Sequence, residues 1–116
     1  MLNSIVIMGR LTDDPKFQTL PTGTNLATFT VACERDFSGK SEAKQTTDLI
    51  DVSAWRGNAD FVRKHFRKGN MIVVDGRLQT RSYTDSEGKT RVSTEVNAEN
   101  IYFGEPKAAK AGEEDV

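Results

Sequence analysis

The chain has one cysteine, one histidine, one tryptophan and three prolines in 116 residues. A single thiol, Cys33, cannot form an internal disulfide. That excludes a disulfide-stapled secreted scaffold and points to a reducing, cytoplasmic setting. Cys33 follows Phe29 and Val31 at alternate positions, so it reads as a small buried thiol rather than a nucleophile. His65 has no second histidine or cysteine at ligand spacing, so no metal site is expected and His65 reads as a surface residue of a helix. No apolar run reaches membrane-spanning length; Ile5-Val6-Ile7-Met8 and Met71-Ile72-Val73-Val74 suit buried strands instead. The start Met1-Leu2-Asn3-Ser4 lacks the basic and apolar regions of a secretory signal. There is no glycine-rich phosphate loop, no Cys-x-x-Cys pair and no His-Glu-x-x-His, and no cofactor is expected.

What is present is a globular composition, 36% hydrophobic and 28% charged. The length suits one domain with a modest core. The net charge is -1, which on its face argues against a nucleic-acid binder. The distribution matters more than the sum. Up to Phe103 basic residues slightly outnumber acidic ones, and after it Glu105, Glu113, Glu114 and Asp115 outweigh Lys107 and Lys110. Residues 1–103 therefore read as one domain, and residues 104–116 as a short, acidic, disordered tail.

Asn3 to Leu11 reads as a first strand with two apolar faces, one for the core and one for a partner. Thr12-Asp13-Asp14-Pro15 and Leu20-Pro21-Thr22-Gly23 are turn chemistry, with Lys16 to Thr19 a short edge piece between them. Leu26 to Arg35 alternates Ala27, Phe29 and Val31 with Thr28, Thr30 and Ala32, and reads as a second strand. Phe37 to Thr46 is polar and reads as a long hairpin loop. Thr47 to Arg56 is a third strand, with Ile50, Val52 and Ala54 inward and Leu49, Asp51, Ser53 and Trp55 outward. The period then becomes helical over Ala59, Phe61, Val62 and Phe66, with Asn58 as N-cap and Gly69 as stop. Met71 to Tyr83 is a fourth strand with a bulge possible at Gly76, and Asp85-Ser86-Glu87-Gly88 is a hairpin turn. Lys89 to Phe103 is a fifth strand whose parity shifts between Ala98 and Ile101, a second sign of a bulge. Five strands with one helix between the third and fourth is an all-β chain in the element order of the OB-fold, a five-stranded Greek-key barrel.

The outward positions gather the chemistry. Arg77, Gln79, Arg81 and Tyr83 stand at every second position of one strand and so share a face. Cations suit phosphates and rings suit bases. Trp55 is outward on its own strand, and Phe37 opens a polar loop that cannot bury it. Arg35, Arg56, Arg77 and Arg81 are the cations nearest these rings, with Arg10, Lys89 and Arg91 next. Arg63, Lys64, Arg67 and Lys68 form a separate basic cluster on the helix, read as a solvated face suited to its C-terminal dipole. Two other functions fit less well. One is a protein–protein module of the same fold. The other is a metal nuclease, for which Asp48, Asp51 and Asp75 are the only interior-strand candidates, and Asp48 and Asp51 differ in parity. No residue is assigned a catalytic role.

Taken in order, Gly9-Arg10-Leu11-Thr12-x-Asp14-Pro15, Ala27-Thr28-Phe29-Thr30-Val31-Ala32, Arg67-Lys68-Gly69, Asp75-Gly76-Arg77-Leu78-Gln79-Thr80-Arg81-x-Tyr83 and Thr94-Glu95-Val96 make the chain resemble the bacterial and phage single-stranded-DNA-binding protein family. The resemblance implies an OB-fold that coats single-stranded DNA during replication, recombination and repair. It implies stacking on Phe37, Trp55 and Tyr83, with a fourth aromatic position falling on Leu49, which cannot stack as a ring does. It implies a homotetramer built from dimers through the first strand, with Leu2, Ser4, Val6 and Met8 on the contact face. Cellular members recruit replication and repair proteins through an acidic tip ending in Pro-Phe. Here the acid is present in Glu113-Glu114-Asp115 and the Pro-Phe pair is not. A cytoplasmic, nucleoid-associated location follows.

Overall fold

Residues 1–36 and 46–105 are described by the computed structural model of the chain. They form β1 (Ile5–Leu11), β2 (Lys16–Thr19), β3 (Asn25–Glu34), β4 (Thr47–Trp55), α1 (Gly57–His65), β5 (Met71–Thr84) and β6 (Thr90–Phe103). These bounds fall within two residues of the strands expected from alternation. The loop expected at residues 37–46 lies outside the described residues apart from Thr46. The tail expected at 104–116 does so apart from Gly104 and Glu105.

Alternation decides which side chains make the core. In β3, Ala27, Phe29 and Val31 are buried, while Thr28 stays exposed. The same rule buries Val52 and Ala54 from β4, Ile72 and Val74 from β5, and Val96 and Ala98 from β6. Burying each such valine, isoleucine or phenylalanine stabilises the fold by roughly 1.5–3 kcal/mol. Hydrogen bonding orders the strands β1-β5-β6-β4-β3-β2, and a further β1–β3 pairing closes five of them into a barrel. Every pairing is antiparallel except β4–β6, where Val52 lies beside Val96 and Ser53 beside Asn97. β2 pairs with β3 alone and is the expected edge piece. With α1 between β4 and β5, this is the OB-fold. The helix plugs one end with Ala59 and Val62, and Phe66 follows them into the core.

Two glycines allow the closure. A Cβ on Gly9 would stand 2.2 Å from the Ala32 carbonyl oxygen, where β1 crosses from β5 to β3. A Cβ on Gly76 would stand 2.1 Å from the Asn97 carbonyl oxygen. Gly76 faces a bulge: Asp75 pairs with Asn100 and Gly76 with Ala98, so Glu99 is the extra residue. The parity shift in the last strand is that bulge, and the inserted residue belongs to β6 rather than to β5.

Three local expectations need correcting. Asn58 is not the N-cap. The helix begins two residues earlier than that cap implies, at Gly57 behind Arg56, and the Asn58 amide instead donates to the carbonyls of Ala98 and Glu99 at the bulge. Gly69 does not stop the helix, which ends at His65 with Phe66 as C-cap; Gly69 makes the next turn at φ 89° and donates to the Leu11 carbonyl. His65 is not a plain surface residue. Its ring centroid lies 4.9 Å from Phe61 and 5.5 Å from Phe103, because the end of β6 passes over the helix.

Gly9→Ala and Gly76→Ala should each destabilise the protein by about 2–3 kcal/mol, since backbone atoms and not flexible side-chain ends occupy the space a Cβ would need. Urea unfolding of both variants measures this, and wild-type midpoints would refute the closure role.

Candidate nucleic-acid interface

The register of the strands decides which outward residues meet. Thr28 of β3 faces Ser53 of β4, Ser53 lies beside Asn97 of β6, and Asn97 faces Arg77 of β5. One row thus runs across four strands of the outer barrel wall. Trp55 lies two residues beyond Ser53 on the same side and faces Leu26. Gln79 faces Glu95, Arg81 faces Ser93 and Tyr83 faces Arg91. Beyond Val96 the β5–β6 hairpin leaves the barrel as a free wing, because β4 pairs with β6 only at Val96 and Asn97. From Trp55 to Tyr83 the face extends roughly 25 Å along the strands at 3.3–3.4 Å per residue.

Tyr83 is 51% exposed on the wing, and Trp55 is partly buried at the end of β4. Leu49 is 67% exposed on the outer wall, facing Ala32, which in turn faces Arg10 of β1. Phe37 lies outside the described residues. Both described rings are therefore reachable on the outer wall rather than in the core.

The cations divide into two kinds. Arg10, Arg35, Arg81 and Arg91 each bind a carboxylate: Glu105 at 3.5 Å, Asp48 at 2.8 Å, Glu95 at 3.2 Å and Asp85 at 2.7 Å. Arg56, Arg77 and Lys89 form no ion pair among the described residues. The Arg35–Asp48 contact is bidentate, through Nε at 2.9 Å and Nη2 at 2.8 Å. That hydrogen bond from Arg35 holds the Asp48 carboxyl below its ordinary range and raises the guanidinium in return. Asp85 is likewise lowered, first by Arg91 and then by the Lys89 amide. Its Oδ1 also accepts the amides of Glu87 and Lys89, so this carboxylate fixes the hairpin turn at the wing tip. Arg10 also donates to the Gly69 carbonyl at 2.9 Å, and Glu105 accepts the Met71 amide at 3.2 Å.

Strand parity put Ser53 outward, and it is outward, but it is only 4% exposed. Its hydroxyl donates to Glu95 Oε2 at 3.4 Å. Beside it a polar cleft of about 390 Å³ is lined by Thr12, Lys16, Thr30, Asp51, Arg81 and Glu95. Thr30 donates to Asp51 at 2.9 Å within that cleft. Asp51 and Glu95 were not among the expected site residues, although counting outward from the Asp85–Gly88 turn would have set Glu95 against Gln79.

The remaining charged groups go elsewhere. Arg63 lies 4.5 Å over the Phe17 ring, and Arg67 donates to the carbonyls of Arg63 and Phe66, so this part of the helix cluster serves the fold. Asp48, Asp51 and Asp75 do not converge; they hold Arg35, Thr30 and Asn100 respectively. Burial pushes the Cys33 thiol up, away from nucleophilic use.

Arg56 joins β4 to α1 in a left-handed backbone, φ 58° and ψ -122°, with its amide on the Asn25 carbonyl and its own carbonyl accepting Asp60. Such a conformation costs a side-chain-bearing residue about 1–3 kcal/mol. Arg56→Gly should therefore raise stability by about 1 kcal/mol while Arg56→Ala does not, as measured by urea unfolding. Equal midpoints for the two variants would show that the turn carries no strain.

A wall of this kind, with rings, guanidinium groups and amide side chains in registered rows on a closed OB barrel, suits an extended single strand. Residues 2–104 match the Single-strand binding protein family. The chain is 41% identical over 111 residues to a Single-stranded DNA-binding protein of Halalkalibacterium halodurans, covering 96% of this chain and 66% of that protein. It is 42% identical to Single-stranded DNA-binding protein 1 of Staphylococcus aureus, covering 95% of this chain and 65% of that protein. It is 44% identical over 107 residues to Single-stranded DNA-binding protein A of Bacillus subtilis, covering 92% of this chain and 62% of that protein. The chain thus spans less than two thirds of the length of these relatives. Because the family match starts before β1 and runs past the end of β6, taking in every strand of the barrel and the whole outer wall, the chain belongs to the single-strand binding protein family.

Proposed function

We propose that this chain binds single-stranded DNA without sequence preference, during replication, recombination and repair, and performs no chemistry on it. The observation that carries this reading is the shared face of Trp55, Asn97, Arg77, Gln79, Arg81 and Tyr83, fixed by strand register. Bases stack on Trp55 and Tyr83, with Phe37 as a third ring. Phosphates follow Arg56, Arg77 and Lys89, which have no internal partner among the described residues. They then reach Arg10, Arg35, Arg81 and Arg91 by displacing carboxylates. Gln79 supplies an amide between two of these cations. The names of the relatives support the same reading.

Trp55 is the only tryptophan, so its emission reports on the face directly. Oligo-dT should quench it, and Trp55→Ala should cost about 1–3 kcal/mol of affinity, the worth of one base–aromatic stack. Affinity should also fall with salt at a log–log slope of about 0.7 per phosphate contact to an unpaired cation. Unchanged emission at saturating oligonucleotide, or an affinity indifferent to salt, contradicts the reading.

The assembly we propose is a homotetramer built from dimers, in the cytoplasm and associated with the nucleoid. Its support is an apolar strip outside the core: Leu2, Val6, Met8 and Tyr102 are 101%, 64%, 53% and 53% exposed. Met8 faces Val73 and Val73 faces Tyr102, so the strip crosses β1, β5 and β6, with Ser4 exposed at its start. Exposed apolar strips of this kind mark contact surfaces. Recruitment of replication and repair proteins through the acidic segment is a further proposal, resting on Glu113, Glu114 and Asp115. Native mass spectrometry should find four chains per particle and smaller particles for Val6→Glu with Met8→Glu. A monomeric wild type would refute the assembly.

A further inference from the structure

We infer that Glu95 is a built-in counterion that competes with the nucleic-acid backbone for Arg81 and so limits affinity. The inference rests on the proposed binding of single-stranded DNA to this face.

The two partners of the pair are held unequally. The Glu95 side chain is 19% exposed and takes a hydrogen bond from the nearly buried Ser53; the Arg81 side chain is 67% exposed. The carboxylate is fixed to the barrel, and the guanidinium reaches back to it. Register makes that reach a diagonal one. Arg81 faces the neutral Ser93, while Glu95 faces Gln79 and stands one step from both Arg81 and Arg77. A negative charge thus sits in the middle of the stripe of cations. Asp85 differs, because it also fixes a turn by accepting two backbone amides. The bonds of Glu95 are to Ser53 and Arg81.

A phosphate that approaches Arg81 must take the place of Glu95. Contact with a free cation releases one condensed ion from the nucleic acid and steepens the salt dependence. Contact with Arg81 also frees a carboxylate, which gathers a cation from solution. Release and uptake offset each other, so this contact adds little to the salt slope of the wild type.

The test uses the full chain and fluorescently labelled oligo-dT, read by anisotropy over a series of salt concentrations. Glu95→Gln keeps the shape and the Ser53 contact and removes the charge. It should bind about fivefold more tightly, the upper worth of an exposed ion pair. Its salt slope should be steeper by about 0.7, one more phosphate contact. In an Arg81→Gln background the same change should give neither gain. An unchanged or weaker Glu95→Gln, or a gain that survives without Arg81, overturns the inference. Where Glu95→Gln fails to fold, the wild type still decides. The Arg81 Nε–H resonance should shift on saturation with oligo-dT, and a resonance that stays in place overturns the exchange. A wild type that does not bind oligo-dT removes the binding reading itself, and this inference with it.

Discussion

The close approach of β1 to β3 is the constraint on which the molecule depends. A five-stranded sheet curls into a barrel only if one strand can serve two neighbours. β1 does so by running beside β5 from Ile5 to Arg10 and meeting β3 at Arg10 and Leu11. Gly9 is where it crosses, with the Ala32 carbonyl in the space of its missing side chain. Closure turns alternation into an inside and an outside. Val31, Val52, Val74 and Val96 are fully enclosed, and their sequence neighbours have to stand on the outer wall. The row Thr28, Ser53, Asn97 and Arg77 is therefore the obligatory other side of the core, and the β5–β6 wing carries the same face outward to Gln79 and Arg81.

That wall is less basic than its arginines suggest. Among the described residues four of them already have carboxylate partners, all with side chains more than half exposed. In water each such exposed pair contributes little to stability. Such pairs do more for orientation. Guanidinium groups held by Asp48 and Asp85 are aimed before any ligand arrives, which lowers the ordering cost of binding. In the binding proposed above, a phosphate reaching Arg10, Arg35, Arg81 or Arg91 would displace a carboxylate, whereas one at Arg56, Arg77 or Lys89 would not.

Much of this was legible in the residues. Alternation located every strand of the barrel because one face of each is enclosed, and the change of period after Trp55 marked the helix. The outward set Arg77, Gln79, Arg81 and Tyr83 followed from parity alone. What parity could not supply was pairing. Whether Arg81 meets Ser93 or Glu95 is a property of register and side-chain reach, and neither is local. The helix start failed for a related reason. Asn58 has the chemistry of a cap, but the bulge at Glu99 presents two carbonyls to its amide, and tertiary contacts outweighed the local preference. The packing of His65 is equally non-local, because the aromatic end of β6 arrives from far along the chain.

The bulge and the strained turn at Arg56 belong to one device. Glu99 is the extra residue of β6, and it releases the carbonyls that Asn58 holds at the first turn of α1. Arg56, just before that turn, accepts a left-handed backbone so that the chain can drop from the wall into the barrel mouth. Trp55 is the residue immediately before this descent, and so the last outward position of β4. Trp55 thus stands at the rim, two residues beyond the row that runs through Ser53 and Asn97 to Arg77. Strain at a functional edge persists only where the surroundings over-determine it. Here the surroundings are the helix plug, the bulge and the edge of β3, where Asn25 accepts the Arg56 amide and donates to Asp60.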